Sequence, residues 1–126
     1  MTKPEGRRYD IQERALKFAS NIAIMAGKMP KILALIEYCK QLVRSSSSIG
    51  ANIEEADGTL TKKDFINKLA IARREARESK YWLMLIKRAE LNLSYISYEE
   101  IDILINESHE MMLILSSIIN KVQNKI

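Results

Sequence analysis

One helical stripe runs unbroken through a stretch that should interrupt it. Ile32, Leu35, Ile36, Cys39, Leu42 and Val43 recur at heptad-like spacing. They lead into RSSSSIGANIEEADG, from Arg44 to Gly58. Four consecutive serines beside a glycine read, taken alone, as a flexible linker. A linker there would divide the 126 residues into two pieces, each with little core of its own. Carrying the count through the serines, however, puts Ser46, Ile49, Gly50, Ile53 and Ala56 on the inward side with no slip. A linker has no reason to keep register in this way. The phase therefore favours one helix from Pro30 to Asp57, with Gly58 just past its end. The serines and Gly50 lower its propensity, the glycine by up to about 1 kcal/mol. Such a helix gains close approach of a neighbouring backbone, or a bend.

Three further amphipathic segments surround this one. Asp10 and Glu13 form a capping-box pattern ahead of Ile11, Ala15, Phe18, Ile22 and Met25, whose 4-3 spacing lines one face. Gly27 and Pro30 then mark a stop and a start. Thr61 with Asp64 opens a third helix with the stripe Phe65, Leu69, Ala72, Ala76, Ser79, Leu83 and Ile86. Its small residues mirror those of the second helix, so the two backbones are expected to pack closely. Ser97 with Glu100 opens a fourth helix, with Ile101, Leu104, Ile105, Ser108, Met111, Met112, Leu115, Ile118, Ile119 and Val122 facing inward. The fold class is thus all-α, an antiparallel up-down-up-down four-helix bundle. It forms a single domain over residues 10–126, preceded by a tail over 1–9.

Composition agrees. Only 4 glycines and 2 prolines are present, too few for the turns of a strand-rich domain. The N-terminus has charges but no apolar core of a signal peptide. The longest mostly apolar run, MMLILSSII, is far short of the roughly 18 residues that span a bilayer. The single cysteine, Cys39, excludes an internal disulfide framework and reads as a small core hydrophobe. A soluble, cytoplasmic protein with no membrane partner is expected.

Enzymatic chemistry finds little to use. A di-iron bundle needs Glu-x-x-His on two helices plus two further glutamates, and the lone histidine, His109, follows Asn106 by three. Glu75 and Glu78 have carboxylate spacing without an imidazole, and Arg74–Glu78 is a candidate i,i+4 ion pair. The serine run has no histidine nearby in sequence, and SIGANIEEADG lacks the lysine and spacing of a phosphate loop. No catalytic residue, metal or cofactor is assigned.

Charge is more informative. The net +4 is unevenly spread: residues 61–93 carry +5 and residues 94–126 carry −3. Arg73, Arg77, Lys80 and Lys87 follow one ridge of the third helix, with Arg74 and Arg88 on the adjacent ridge. Such a ridge can track a phosphate backbone of RNA or DNA. The plain alternative is a solvated face, or one paired with the acidic fourth helix. The same helix carries Ile66, Ile71, Tyr81, Trp82 and Leu85 off its main stripe, which suggests either an oligomer interface or a wide stripe serving a broad core.

RSSSSIGANIEEADG followed by KKDFINKLAIARREARESKYWLML resembles a bacterial four-helix-bundle family. That family includes proteins encoded within intervening sequences of large-subunit ribosomal RNA genes, and the accessory variability determinant of diversity-generating retroelements. The likeness rests on Ser48, Ile49, Asn52, Ile53, Glu55, Phe65, Leu69, Ala72, Glu78, Trp82 and Leu83. It implies a homopentamer without known catalysis. In retroelement members it implies a basic surface that binds nucleic acid and a reverse transcriptase. The motif does not separate the two branches. Where many relatives read NIAEG this chain reads NIEEADG, so the turn after the second helix is expected to differ. Asn52 and Glu55, beside the small-residue stripe, are expected to bond across helices or between subunits. The function expected is a non-enzymatic homo-oligomeric accessory protein that binds nucleic acid through the third helix. The alternative is a scaffold that binds a protein partner without nucleic acid.

Overall fold

The computed structural model describes residues 6–89, 96 and 98–124, with side chains from residue 10 onward. Four helices account for nearly all of them: α1 (Gly6–Gly27), α2 (Leu33–Asp57), α3 (Lys62–Arg88) and α4 (Tyr98–Gln123). Each helix packs on its neighbours in sequence, and α1 returns against α4 to close the ring. The diagonal pairs make no backbone contact, so the four axes surround one core. The α2–α3 seam is the most extensive and α1–α4 the least. This is the four-helix bundle that the four stripes imply.

The serine stretch lies inside α2, and the hydroxyls explain how. Ser46 and Ser47 donate to the Val43 carbonyl (3.3 and 2.7 Å), and Ser45 donates to Leu42 O (3.3 Å). These bonds to the preceding turn satisfy each hydroxyl without breaking the helix. Ser45 also lies 2.8 Å from Ser79 Oγ of α3, with both side chains fully buried. The facing small-residue stripes thus meet through a hydrogen-bonded hydroxyl pair. Gly50 faces α1 instead: a Cβ built there would lie 3.5 Å from Ala15 Cβ, an ordinary contact.

Several boundaries differ from expectation. Residues 6–9 are helical, so Asp10 lies inside α1 rather than at its cap, because nothing from Arg7 to Asp10 breaks a helix. The second helix starts at Leu33, not Pro30. Met29 drops into the core, Ile32 N–H bonds to Pro30 O (2.9 Å), and Ile32 itself is extended. At the other end Gly58 has φ −97°, an ordinary right-handed value, and Thr59 Oγ1 donates to Ala56 O (2.7 Å) to close the helix. Thr61 caps α3 as expected, accepting from Asp64 N–H at 3.1 Å. The Ser97 cap of α4 lies outside the described residues.

The core holds the α1 stripe, the α3 stripe apart from the half-buried Phe65, and most of the α4 stripe. On α2 the expected stripe splits. Leu35, Leu42, Ser45, Ser46, Ile49, Ile53 and Ala56 are buried, whereas Ile32, Ile36 and Val43 are exposed. Apolar residues on α2 form two parallel rows, and α1 and α3 cover only one. Ile36 and Val43 of the other row, with the half-buried Cys39, line a groove of about 390 Å³ against Met29 and Pro30, edged by Lys31 and Lys40. Burial pushes the Cys39 thiol pKa up, away from reactivity.

Candidate functional site

The third helix positions every cation of the expected ridge, and the fold divides them into two rows. Arg73, Lys80 and Lys87 turn toward α4. Arg73 donates to Ser116 Oγ (3.1 Å), Lys80 Nζ lies 3.2 Å from His109 Nδ1, and Lys87 pairs with Asp102 (2.6 Å). Arg74, Arg77 and Arg88 point outward and are exposed. Arg74 reaches only Glu75, loosely, at 3.8 Å. Neither Arg77 nor Arg88 has a side-chain partner among the described residues.

Lys63, Ala70, Arg74, Arg77, Tyr81, Met84 and Arg88 follow each other at helical spacing and form the outer seam of α3. No carboxylate interrupts the seam. The two acids of mid-helix are turned to α2, where Arg44 binds Glu75 (3.3 Å) and also Glu78. The expected Arg74–Glu78 pair gives way to this arrangement, because the buried Glu75 draws Arg44 across the α2–α3 seam and Glu78 lies beside it. The Arg44 guanidinium holds the Glu78 carboxyl below the usual range, helped by a hydrogen bond from Trp82 Nε1 (3.1 Å). Glu55 meets Lys68 of α3 only as a loose ion pair at 3.8 Å, and Asn52 donates within its own helix to Ser48 O (2.9 Å).

The acidic fourth helix is engaged elsewhere. Arg14 of α1 forks onto Glu107 (2.8 and 2.7 Å) and also donates to Glu110 (2.8 Å). Lys28 pairs with Glu100 at 3.5 Å. With Asp102 bound to Lys87, four of the acids of α4 are held within the chain, two of them by Arg14 of α1 and one by Lys28 just past its end. That leaves the outer seam of α3 positive.

The off-stripe apolar residues of α3 separate too. Ile66 and Trp82 pack partly against the core of the bundle, Ile71 and Leu85 are half-buried, and Tyr81 is 57% exposed. Trp82 stacks on Tyr38 of α2 (6.0 Å between centroids, 30°), and Tyr81 meets Trp82 edge-to-face (5.2 Å, 73°). Sequence reasoning missed the buried Glu75 and its Arg44 partner, because a core-edge glutamate looks like any solvated one until its neighbour helix is in place. It also missed the exposed α2 row, which a helical wheel cannot tell from core.

A family model described as 23S rRNA-intervening sequence protein matches residues 7–117. The chain belongs to that family. A solved structure from Bacteroides thetaiotaomicron, a protein of unknown function from the S23 ribosomal protein family, is 39% identical to this member of the intervening-sequence family. The match covers 86% of this chain and 97% of the other, with a TM-score of 0.77. No curated protein matches this family member. No helix among its described residues is long and apolar enough to cross a membrane.

Proposed function

We propose that this 23S rRNA-intervening sequence protein is a non-enzymatic accessory protein that binds nucleic acid through α3 and works as a homo-oligomer. The observation that carries the reading is the uninterrupted positive outer seam of α3, left exposed while Arg14 and Lys28 engage acids of α4. Arg74, Arg77 and Arg88 reach phosphates, and Arg73, Lys80 and Lys87 set the seam's position through their bonds to α4. Guanidinium groups suit this work because their planar fork matches phosphate oxygens. Repetition of the seam in an assembly multiplies weak contacts.

Fluorescence anisotropy with labelled RNA, titrated with salt, tests the proposal. Log affinity is expected to fall steeply with log salt. Changing Arg74, Arg77 and Arg88 together to Glu should abolish binding at moderate salt and lower the slope by about 2–3, roughly 0.7–0.9 for each lost phosphate contact. No binding by the wild type at low salt overturns the reading.

The exposed apolar row of α2 favours a second reading, a scaffold that takes a protein partner there without nucleic acid. Self-association is shared by both readings, with Ile66, Ile71, Trp82 and Leu85 as interface residues; Tyr81, expected from sequence to join them, is the most exposed of the five and is open either to an interface or to a ligand. Light scattering should give a multiple of the 14.5 kDa chain mass, and a mass of one chain removes the oligomer from either.

A further inference from the structure

We infer that Tyr81 is a stacking platform for an unpaired base, so that the outer seam of α3 takes single-stranded nucleic acid in preference to duplex. The inference rests on the nucleic-acid reading above and specifies its ligand. Tyr81 is 57% exposed at the middle of the seam, seven residues after Arg74, four after Arg77 and seven before Arg88. At about 1.5 Å per residue the arginines span about 21 Å, with the ring halfway along. An outward helix position in a bundle ordinarily carries a polar side chain, and here the exposed aromatic is flanked by cations on both sides.

The ring is also held. Tyr81 leans edge-to-face on Trp82, which is fixed by its stack on Tyr38 and by the bond from Nε1 to Glu78 Oε2 (3.1 Å). Glu78 is in turn held by Arg44. A buttressed ring loses little freedom when a base stacks on it. Phosphates on either side would meet exposed guanidinium groups, and no carboxylate of the seam opposes them.

Duplex nucleic acid cannot use this arrangement. Its bases are stacked on each other, and the deep, narrow major groove of A-form RNA shuts side chains out. A ring on the face of a straight helix therefore meets only the backbone of a duplex. A single strand presents base faces that aromatic side chains take up without regard to sequence.

The test compares oligo-uridine with an RNA duplex of equal length by anisotropy, on wild-type protein, Tyr81→Ala, Tyr81→Phe and the triple arginine variant. The single strand is expected to bind more tightly than the duplex. Tyr81→Ala should weaken single-strand binding by roughly 5- to 150-fold, leave duplex binding and the salt slope unchanged, and keep the wild-type assembly mass. Tyr81→Phe should retain affinity, because the ring rather than the hydroxyl carries the contact. The only tryptophan, Trp82, adds a local readout: its fluorescence should change with the single strand and not with the duplex.

Unchanged single-strand affinity in Tyr81→Ala, with binding abolished in the triple arginine variant, would overturn the stacking role and leave the nucleic-acid reading standing. Dissociation of the assembly in Tyr81→Ala would overturn it in favour of an interface tyrosine. Wild-type protein that binds neither RNA would overturn both readings together.

Discussion

Gly50 sits in the interior of α2, where a glycine costs about 0.5–1 kcal/mol relative to alanine. Its surroundings do not require it, since a Cβ there would make an ordinary 3.5 Å contact with Ala15 Cβ. Gly50→Ala is therefore expected to stabilise the protein by about 0.5–1 kcal/mol, read as a higher urea midpoint. A lower midpoint would mean that α1 cannot yield the small space a methyl group needs. The serines are different. Ser45 and Ser79 are buried against each other, and their size and hydroxyls are both used. Register through the serine run was legible in the sequence because period alone decides it. The identity of the partner helix at each small residue was not. Gly50 and Ser45 belong to one helix, yet one faces α1 and the other α3.

At the scale of the elements, α2 and α3 are joined by a polar cluster beside their small-residue seam. Arg44 reaches Glu75 and Glu78, and Glu78 also accepts from Trp82. The Arg44 hydrogen bond lowers the Glu78 pKa in the folded protein relative to the unfolded chain. The stabilisation is thus fully present above the ordinary glutamate value of about 4.5 and is lost as pH falls through the lowered folded value. The urea midpoint should hold from neutrality to about pH 4.5 and then decline, with a shallower decline in Arg44→Gln. An equal acid slope in both proteins would show that the cluster does not govern acid stability. The helices themselves could be read from capping residues and spacing, to within a few residues at Asp10 and Pro30. Those boundaries shifted because Met29 was drawn into the core and because no breaker stands between residues 6 and 10.

Across the whole molecule the ring of helices is closed by its least extensive seam, α1–α4, and Arg14 bridges it with a fork onto Glu107 and a bond to Glu110. Arg14→Ala is expected to destabilise the bundle by about 1 kcal/mol. Amide exchange should rise first in α1 while α2 and α3 stay protected. Uniform acceleration in all four helices would show that the bundle opens only as one unit. The same Arg14 contact keeps the acids of α4 away from α3. Segment charges alone suggest that the +5 and −3 segments pair with each other. In the folded chain Lys87–Asp102 pairs the two segments, while Arg14 of α1 takes Glu107 and Glu110 and Lys28, just past α1, meets Glu100. The sequence by itself determined the four helices, the inward faces of α1, α3 and α4 and the continuity of α2, because helical periodicity is a local property and burial selects one face. Only the tertiary structure decided which apolar row of α2 is covered, which acids meet which bases, and which arginines of α3 remain exposed. Those outcomes depend on the rotation of each helix against its neighbours, and that rotation is set by packing between residues distant in the chain.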